Sequence, residues 1–313
     1  MTAYTKGAHE IGDRLFAYTQ PDGGWGWSNA GLIVDGDRSL LVDTLFDLHL
    51  TAEMLDALRR TTAAAEEIDV LVNTHANGDH CYGNQLVSGA RVIASRACAE
   101  EMSEVPAGRL ATMVEAAPAM GAAGEYFATI FGPFDFTGID VPPPDETFEG
   151  TLALSVGDRV VELFEVGPAH TMGDVVVHVP DAGAVFTGDI LFNGGHPIVW
   201  AGPVENWVAA CRRIADLNPA VVVPGHGPVT DVSAVVALQR YFEDLTDHAR
   251  RCYEAGLSPF EAAREAKLDV ADGWGQPERL VINVTALYRD FGGDPPSDLV
   301  TLFGQMAELA GYG

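Results

Sequence analysis

The stretch Thr74-His-Ala-Asn-Gly-Asp-His80 contains four potential metal ligands within six residues: His75, Asn77, Asp79 and His80. The apolar run Ile68-Asp-Val-Leu-Val72 precedes it and predicts a short buried strand, and Gly78 predicts a turn. After such a strand, the side chains of His75 and Asn77 can face one point. The turn at Gly78 lets those of Asp79 and His80 face a second point. Imidazole nitrogens and carboxylate oxygens are ligands that a divalent ion such as zinc prefers. The stretch therefore predicts a metal site, and the alternative is a polar loop whose histidines bind backbone groups.

Three further ligand candidates lie downstream, and each follows an apolar run and a Gly or Pro break: His170 after residues 160–166, Asp189 after residues 184–187 and His226 after residues 220–223. The apolar runs predict β-strands, so each candidate lies where a predicted strand ends. Loops that converge at the ends of sheets are where metal and catalytic sites are usually built. We therefore expect these three side chains to join the first four in one site.

The order of these side chains resembles the metallo-β-lactamase-fold hydrolase superfamily from about residue 29 to about residue 231. The segments Gly188-Asp189 and Pro224-Gly-His-Gly227 also match. The resemblance implies an α/β fold, a metallo-β-lactamase-like αβ/βα sandwich of two mixed sheets with flanking helices. It also implies the ligand sets, with a bridging Asp189 between two metals: a first metal that faces His75, Asn77 and His170, and a second that faces Asp79, His80 and His226.

At one position the chain departs from the pattern of the superfamily, which usually has histidine where this chain has Asn77. A neutral amide oxygen is a weaker and harder donor than imidazole. Three outcomes follow: a loosely filled first site, a single ion in the second site, or a preference for an oxygen-tolerant metal such as manganese or iron. We expect one or two Zn²⁺ ions per chain, with Mn²⁺ or Fe²⁺ as the alternatives that Asn77 introduces.

The ligand types favour a metal-dependent hydrolase. Bound metal ions lower the pKa of water from 15.7 to about 7, which gives hydroxide at neutral pH, and they also polarise a carbonyl. Asp79 and Asp189 are the expected catalytic carboxylates, with Asp79 as either a ligand or a base. The predicted reaction is hydrolysis of a small ester, lactone, thioester or amide.

Two other functions are compatible with the sequence. A mononuclear iron oxygenase or other redox enzyme is the first, because the same fold can hold a single iron and Asn77 favours a one-metal site. A non-catalytic binding or scaffold protein that keeps the fold is the second. Metal analysis distinguishes them, since iron coupled to oxygen uptake indicates a redox enzyme and a lack of metal indicates a binding protein.

Composition limits the partners and the setting of the protein. A formal net charge of −27 repels phosphate backbones, so we expect a small-molecule substrate and no nucleic acid. No secretory signal and no apolar run of membrane-spanning length is found, so we expect no membrane partner. The four cysteines are scattered, which favours reduced thiols and a cytoplasmic location. Cys81, beside His80, is either a further ligand or a small buried thiol, and we favour the thiol.

An aromatic insertion occupies about residues 96–150. It is predicted to begin with a helix from Arg96 to Met120 and to end with a Pro-rich loop over residues 132–150. Between them lies an aromatic stretch that includes Phe131. Long insertions of this kind are commonly lids or binding loops. The insertion is therefore either a flap that covers the core or a wall that contacts an apolar substrate.

Three other residues are candidates for substrate contact. Trp25 and Trp27 lie between glycines on a predicted hairpin, where they either cover a pocket mouth or serve as ordinary packing residues. His196 lies in a Gly/Pro turn close to Asp189, and this position predicts that it touches the substrate. Together with Phe131, these side chains predict a neutral or weakly charged, partly apolar substrate.

We divide the chain into a catalytic domain, residues 1–231, and a helical C-terminal extension, residues 232–313, that packs on the same domain. Helical patterns in the extension cover residues 233–255, 259–266, 277–291 and 297–309. Ser258-Pro-Phe-Glu261 predicts a capping box with proline at the first helical position. The extension covers the sheet, closes the pocket or makes a homodimer contact, and the sequence leaves these three roles open.

Overall fold

Two β-sheets form the centre of the computed structural model, which describes residues 4–102, 104, 106–296 and 298–312. The first sheet has seven strands that lie side by side in chain order: β1 (Gly7–Gly12), β2 (Leu15–Thr19), β3 (Ala30–Asp35), β4 (Arg38–Val42), β5 (Val70–Val72), β6 (Arg91–Ser95) and β7 (Glu146–Phe148). Strands β1 to β4 pair antiparallel, and β4 to β7 pair parallel.

The second sheet has five strands, also in chain order: β8 (Thr151–Val156), β9 (Arg159–Glu165), β10 (Val175–Val179), β11 (Ala184–Phe186) and β12 (Val221–Val223). Strands β8 to β11 pair antiparallel, and β11 and β12 pair parallel. The central β10 is buried along its whole length, which explains why four of its five residues are valines. The predicted α/β sandwich of two mixed sheets is confirmed.

Helices flank the sheets and form most of the C-terminal extension. In the described part of the chain they are α1 (Leu48–Thr61), α2 (Gly78–Cys81), α3 (Arg96–Met102), α4 (Ala107–Ala116), α5 (Gly121–Phe131), α6 (Val204–Asp216), α7 (Val232–Glu254), α8 (Pro259–Glu265), α9 (Leu280–Asp290) and α10 (Leu299–Leu309). The Asp47 and Asp231 carboxylates cap α1 and α7 by accepting from first-turn N–H groups. The capping box predicted for α8 is confirmed. Ser297, the predicted start of the last helix, lies outside the described residues.

The two sheets pack face to face through a core of branched and aromatic side chains. Side chains alternate between the two faces of β4. Leu40 and Val42 face the other sheet, whereas Leu41 faces the helices. Gly31 of β3 lies against the Phe186 ring of β11, and a Cβ added to Gly31 would lie 2.2 Å from a ring atom. The sheets are therefore in close contact at that point, and the core leaves no room for a side chain there.

The outer faces of the sheets are covered by helices. Trp207 of α6 packs on Phe242 of α7 with ring centroids 4.8 Å apart, which joins the extension to the catalytic region. Both rings are fully buried. Across the residues with described structure, we find no helix that combines the length and the apolar character needed to span a membrane.

The insertion is more helical than the sequence predicted. The predicted helix over residues 96–120 divides into α3 and α4, with residues 103 and 105 outside the described residues. The sequence did not predict α5, because Gly121 and Gly124 lower the helix propensity of its first turn. Strand β7 interrupts the predicted loop 132–150. The turn predicted at Gly78 is the start of the short helix α2, which ends at Cys81.

We expect Gly31→Ala to lower the free energy of unfolding by about 1–3 kcal/mol, because the added carbon forces the Phe186 ring or strand β3 to move. Denaturant-induced unfolding measures the change. The control is Gly304→Ala in α10, where nothing lies within 4 Å of the added carbon. That substitution should instead raise the free energy of unfolding by about 0.5–1 kcal/mol, because alanine favours the helix. Equal stability of Gly31→Ala and the unsubstituted protein would contradict the described contact between the sheets.

Candidate metal centre

The seven predicted ligands lie where strands of the two sheets end. Their positions are as follows: His75 and Asn77 after β5, Asp79 and His80 in α2, His170 after β9, Asp189 after β11 and His226 after β12. Strands β9 and β11 are both antiparallel to β10, and β12 is parallel to β11. The carboxyl ends of β9, β11 and β12 therefore lie at the same edge of the second sheet. Gly225 allows a close approach there, because a Cβ on it would lie 2.0 Å from Asp189 Oδ1.

Asp189 lies at the centre of the cluster that these side chains form. Its carboxylate oxygens are near the Nε2 atoms of four histidines: 3.0 Å from His80, 3.3 Å from His226, 3.4 Å from His170 and 3.8 Å from His75. The Asp189 side chain is almost fully buried, so water screens these contacts little. This central position is the one that a bridging carboxylate needs, and the bridging role stays a prediction.

Two groups of side chains have ligand atoms within 4.8 Å of one another: Asp79 with His80 and His226, and His75 with His80 and Asp189. The first group is the set predicted for the second metal. The set predicted for the first metal is divided, because His75 groups with Asp189 whereas Asn77 Oδ1 lies 2.6 Å from His170 Nε2. The structure thus brings all seven side chains together, and their division between two ions remains a prediction.

Asp43, at the end of β4, orients two of these histidines from outside the cluster. Its Oδ2 atom lies 2.9 Å from His80 Nδ1, and because a carboxylate only accepts, Nδ1 carries the proton. Thr74 Oγ1 donates to the same carboxylate at 2.7 Å, so the hydroxyl accepts from His75 Nδ1 at 3.0 Å. When neutral, both rings therefore direct the lone pair of Nε2 into the cluster.

His170 is held in the same tautomer by the backbone. The carbonyl oxygen of Ile198 accepts from His170 Nδ1 at 2.7 Å, which leaves the lone pair of a neutral ring on Nε2. Burial lowers the pKa of His170, and this favours the neutral ring. Its Nε2 atom faces the Asp189 carboxylate at 3.4 Å and the Asn77 side-chain amide at 2.6 Å. Three imidazoles thus present electron pairs to one small, buried space.

Buried atoms of the cluster lack hydrogen-bond partners among the residues that the structure describes: His75 Nε2, His80 Nε2 and Asp189 Oδ1. Buried polar atoms normally have such a partner, because leaving one unpaired costs about 1–3 kcal/mol. These three atoms converge on the same space, and a divalent cation bound there would satisfy all of them. Two imidazole nitrogens and a carboxylate oxygen are a suitable donor set for zinc. The residues present therefore fit a bound metal ion.

The charges of the cluster also favour a cation. Burial lowers the pKa of His80, yet the neighbouring carboxylates, that of Asp189 foremost, raise it to well above its usual value. The pKa of His226 is raised for the same reason, against the opposing effect of burial. Two carboxylates, Asp79 and Asp189, lie inside the cluster, and Asp43 lies beside it. A site that stabilises positive charge on its histidines also stabilises a metal ion.

Asp43 is a functional residue that the sequence reasoning missed. It follows Leu40-Leu-Val42 just as the predicted ligands follow their apolar strands, and this pattern was the signal that could have identified it. It is buried and has a φ of 62°, a left-handed conformation that non-glycine residues rarely adopt. Cys81, by contrast, is a buried thiol whose Sγ atom lies 3.5 Å from the Ala76 carbonyl oxygen, in agreement with the favoured interpretation.

A cavity of about 330 Å³ opens directly onto the cluster. Asn77, Asp79, His170, Asp189 and His226 form its base, and its walls are largely aromatic: Trp25, Phe46, Phe127, Phe131, Phe192, Trp200 and Phe303. The wall is formed by two parts of the chain that are distant in sequence. The ring centroid of Phe303 in α10 lies 5.6 Å from that of Phe127 in α5. Helix α10 therefore closes one side of the pocket, which is one of the three roles that the sequence left open for the extension.

Two of the four residues predicted to contact the substrate line the cavity, namely Trp25 and Phe131. Their rings pack against each other with centroids 5.8 Å apart. Trp27 instead packs on Phe134, 4.8 Å away, and is an ordinary packing residue. The insertion has both proposed roles, because Phe131 lines the cavity whereas Phe134 and Phe136 are buried against Phe46.

The prediction that His196 touches the substrate is wrong. Its ring is buried, with Nδ1 3.1 Å from Tyr241 Oη and the ring centroid 6.0 Å from that of Trp274. The turn that carries His196 therefore folds onto α7 and away from the cavity. Instead, the nearby Arg279 lines the cavity and donates to the His196 carbonyl oxygen at 2.9 Å. No local pattern around Arg279 indicates this position, because it depends on how α9 packs.

We expect Asp43→Asn to weaken Zn²⁺ binding about 10- to 100-fold, because the amide carries no charge and no longer fixes the His80 tautomer. Competition against a chelator measures the affinity, and circular dichroism establishes that the variant folds. Asp47→Asn is the matched control, since Asp47 is also buried but caps α1, a role that asparagine can keep. An Asp43→Asn variant with unchanged affinity would show that Asp43 does not support the metal site.

We expect Asn77→His to raise the metal content per chain, because imidazole replaces an amide beside His170. Elemental analysis of the purified protein measures the content, and Asn77→Ala serves as the control that adds no donor. A content that stays the same in Asn77→His would show that position 77 is not a ligand position. Asn77 would then position the His170 ring by direct contact, without binding a metal.

Comparison with curated proteins finds relatives that are named as hydrolases or a thioesterase. A probable metallo-hydrolase, YqgX of Bacillus subtilis, is 33% identical over 34% of this chain and 52% of its own length. Acyl-coenzyme A thioesterase MBLAC2 of Bos taurus is 24% identical over 64% of this chain and 72% of its own. Hydroxyacylglutathione hydrolase of Maricaulis maris is 28% identical over 63% of this chain and 62% of its own. The chain thus spans between about half and three quarters of these relatives.

Solved structures share the fold. The sec-alkylsulfatase Pisa1 from Pseudomonas sp. superposes with a TM-score of 0.66 over 91% of this chain and 50% of its own, at 18% identity. A metallo-beta-lactamase from Pontibacter korlensis superposes with a TM-score of 0.58 over 75% of this chain and 98% of its own, at 20% identity. The model of the metallo-beta-lactamase superfamily matches residues 23–226, more than half of the chain, and all seven predicted ligands lie within that match. The chain belongs to the metallo-beta-lactamase superfamily.

Proposed function

We propose that this hydrolase cleaves small thioesters or oxygen esters that carry an apolar acyl group. The observation that supports this most directly is the cavity of about 330 Å³, whose base is the ligand cluster and whose walls are aromatic. Binding sites for small molecules have this form, with mostly apolar walls and a few polar groups where the chemistry occurs. The volume is at the small end of the range for such sites, which favours a small acyl group.

We propose Zn²⁺ as the metal, because the imidazole and carboxylate donors of the cluster are ligands that zinc prefers. An ion held by these side chains supplies a lowered pKa for a bound water and polarises a carbonyl oxygen. The imidazoles of His75, His80 and His170 are oriented for it by Asp43, Thr74 and the Ile198 carbonyl. Asn77 makes Mn²⁺ or Fe²⁺ the alternative.

The two carboxylates of the cluster differ in exposure, and this supports different roles. Asp189 is 4% exposed and surrounded by imidazoles, so it balances positive charge at the centre. Asp79 is 9% exposed and borders the cavity, with its Oδ2 atom 3.2 Å from His226 Nε2. Both carboxylates line the cavity, and we assign to the more exposed Asp79 the role of accepting a proton from a water molecule there.

Relatives favour a thioester over the other carbonyl substrates. Acyl-coenzyme A thioesterase and hydroxyacylglutathione hydrolase, by their names, both act on acyl compounds, and each aligns with more than 60% of this chain. The apolar wall contributed by Phe127 and Phe131 is suited to an acyl chain, because burying one large apolar group gains about 1.5–3 kcal/mol. The strongly acidic surface, in turn, disfavours polyanionic substrates.

The test is a substrate panel that uses one acyl group in several leaving-group classes. Zinc-loaded protein is assayed with thioesters, aryl esters and lactones of butyric and octanoic acids, and with phosphodiesters for comparison. We expect the highest kcat/KM on a thioester or an aryl ester. Asp189→Asn, prepared in parallel, should lack turnover and so exclude a contaminating esterase. Highest activity on the phosphodiesters would overturn the proposed substrate class.

We expect Phe131→Ala to raise KM for octanoyl substrates about 10- to 100-fold while kcat changes less, because the ring binds the acyl chain and not the reacting carbonyl. Steady-state kinetics on the preferred leaving group measures both constants. Trp27→Ala is the matched control, since Trp27 packs on Phe134 and lies outside the cavity wall. A loss of kcat in Phe131→Ala with unchanged KM would contradict the proposed acyl-binding wall.

A further inference from the structure

Arg279 is a buried cation at the wall of the cavity that the proposed hydrolysis does not use. It ends a short 3₁₀ turn, Pro277–Arg279, just before α9, and its side chain is only 1% exposed. It lines the same cavity as Asp79 and Asp189. It also lies beyond residues 23–226, so the superfamily match does not assign it a role.

The guanidinium has few partners for a buried charge. One Nη1–H group donates to the His196 carbonyl oxygen at 2.9 Å, and Nε has no partner among the described residues. Within the same residues no carboxylate forms an ion pair with it. The adjacent Glu278 carboxylate instead accepts from Trp25 Nε1 at 3.4 Å and from Tyr126 Oη at 3.1 Å. A guanidinium has five N–H donors, so Arg279 keeps unused donors at the cavity.

A buried charge without a partner of opposite sign is costly, because desolvation is not compensated. Burial lowers the pKa of Arg279, and nearby carboxylates, that of Glu278 foremost, oppose this effect without forming an ion pair with it among the described residues. A guanidinium stays charged at neutral pH. The other arginine that is buried among the described residues, Arg159, is paired. It lies 3.1 Å from the Asp181 carboxylate and also donates to backbone carbonyl oxygens of Asp13 and Val34. The missing partner of Arg279 is therefore a feature of the cavity.

Aromatic rings hold Arg279 close to the metal centre. Its guanidinium lies 4.5 Å from the centroid of Trp25 and 5.2 Å from that of Phe192. Phe192 in turn stacks on the His226 ring, with centroids 5.0 Å apart and planes at 5°. Only one ring thus separates the cation from a proposed ligand. If the reacting carbonyl group of a substrate lies at the ligand cluster, the neighbouring atoms of that substrate lie close to Arg279.

We propose that Arg279 binds a single anionic group, a carboxylate or a sulfate, on an otherwise apolar substrate. The inference rests on the proposed function only in that the anionic group belongs to a substrate that is hydrolysed. Binding of an anion can be measured without turnover. Two observations support the proposal: Arg279 has unused N–H donors, and no carboxylate among the described residues forms an ion pair with it. The aromatic wall of the cavity is suited to the apolar part of the substrate. Arg109, also at the cavity, is exposed and is the competing candidate.

The first test measures equilibrium binding of octanoate, octyl sulfate and neutral octanamide to the zinc-loaded protein by calorimetry. We expect Arg279→Met to weaken binding of at least one anion about 10- to 100-fold, because a charge-assisted hydrogen bond is lost, and to leave octanamide binding unchanged. The anion that loses more identifies the group as carboxylate or sulfate. Equal affinity of the variant and the unsubstituted protein for both anions would show that they bind elsewhere, and so overturn the proposal.

The second test compares two glutarate esters of 4-nitrophenol, one with a free terminal carboxylate and one with that carboxylate methylated. Arg279→Met should lower kcat/KM for the anionic ester about 10- to 100-fold and leave the neutral ester unchanged. An equal loss on both esters would indicate a purely structural role and overturn the proposal. Hydrolysis of neither ester by the unsubstituted protein would count against the proposed function, while the binding test still decides the role of Arg279.

Three further variants complete the experiment. Arg279→Lys keeps the charge without the planar fork, so it should recover part of the anion preference. It also provides a folded comparison if Arg279→Met is unstable. Arg159→Met is the matched control for removing a buried arginine, and it should lower the melting temperature without changing the preference for anions. A selective loss in Arg109→Gln that is missing in the Arg279 variants would assign the anion to Arg109 and overturn the proposal.

Discussion

Mutual repulsion among the oxygen and nitrogen lone pairs of one buried cluster is the constraint on which the rest of this structure depends. Asp189 lies within reach of four imidazoles, and three of those rings are held with their unprotonated nitrogens toward it. Such an arrangement favours positive charge at its centre, from a bound metal ion or from protons on the imidazoles. The sheets bring the strand ends together, and Asp43 fixes the ring orientations, so both serve the same electrostatic purpose.

The sequence predicted that seven side chains meet at one place, because each follows a local pattern of an apolar strand, a break and a polar side chain. Their role as metal ligands stays a prediction. The same pattern holds for Asp43, which was overlooked only because its chain neighbours include no second ligand. Arg279 and His196 show the limit of such reasoning. Their roles depend on how the extension packs on the catalytic region, and sequence neighbours carry no information about a contact between residues 83 positions apart.

The strands were predictable because each has a local apolar pattern. The errors in the predicted helices have physical causes. Strand patterns predicted individual strands, and the superfamily resemblance implied their arrangement in two mixed sheets. Helix α5 was missed because glycines in its first turn lower local propensity, whereas packing against α10 stabilises it in the folded chain. The walls of the cavity are therefore less evident from sequence than its base, since they depend on tertiary contacts between aromatic side chains.

The order of these parts along the chain bears on how the protein matures. Synthesis proceeds from the amino end, and segments fold as they emerge. The last proposed ligand, His226, precedes α10, whose Phe303 completes the aromatic wall beside α5. The ligand cluster can therefore assemble while one side of the future cavity is still open to solvent. A metal ion that bound at that stage would need no movement of a finished wall, and docking of the last helix would then enclose the occupied centre.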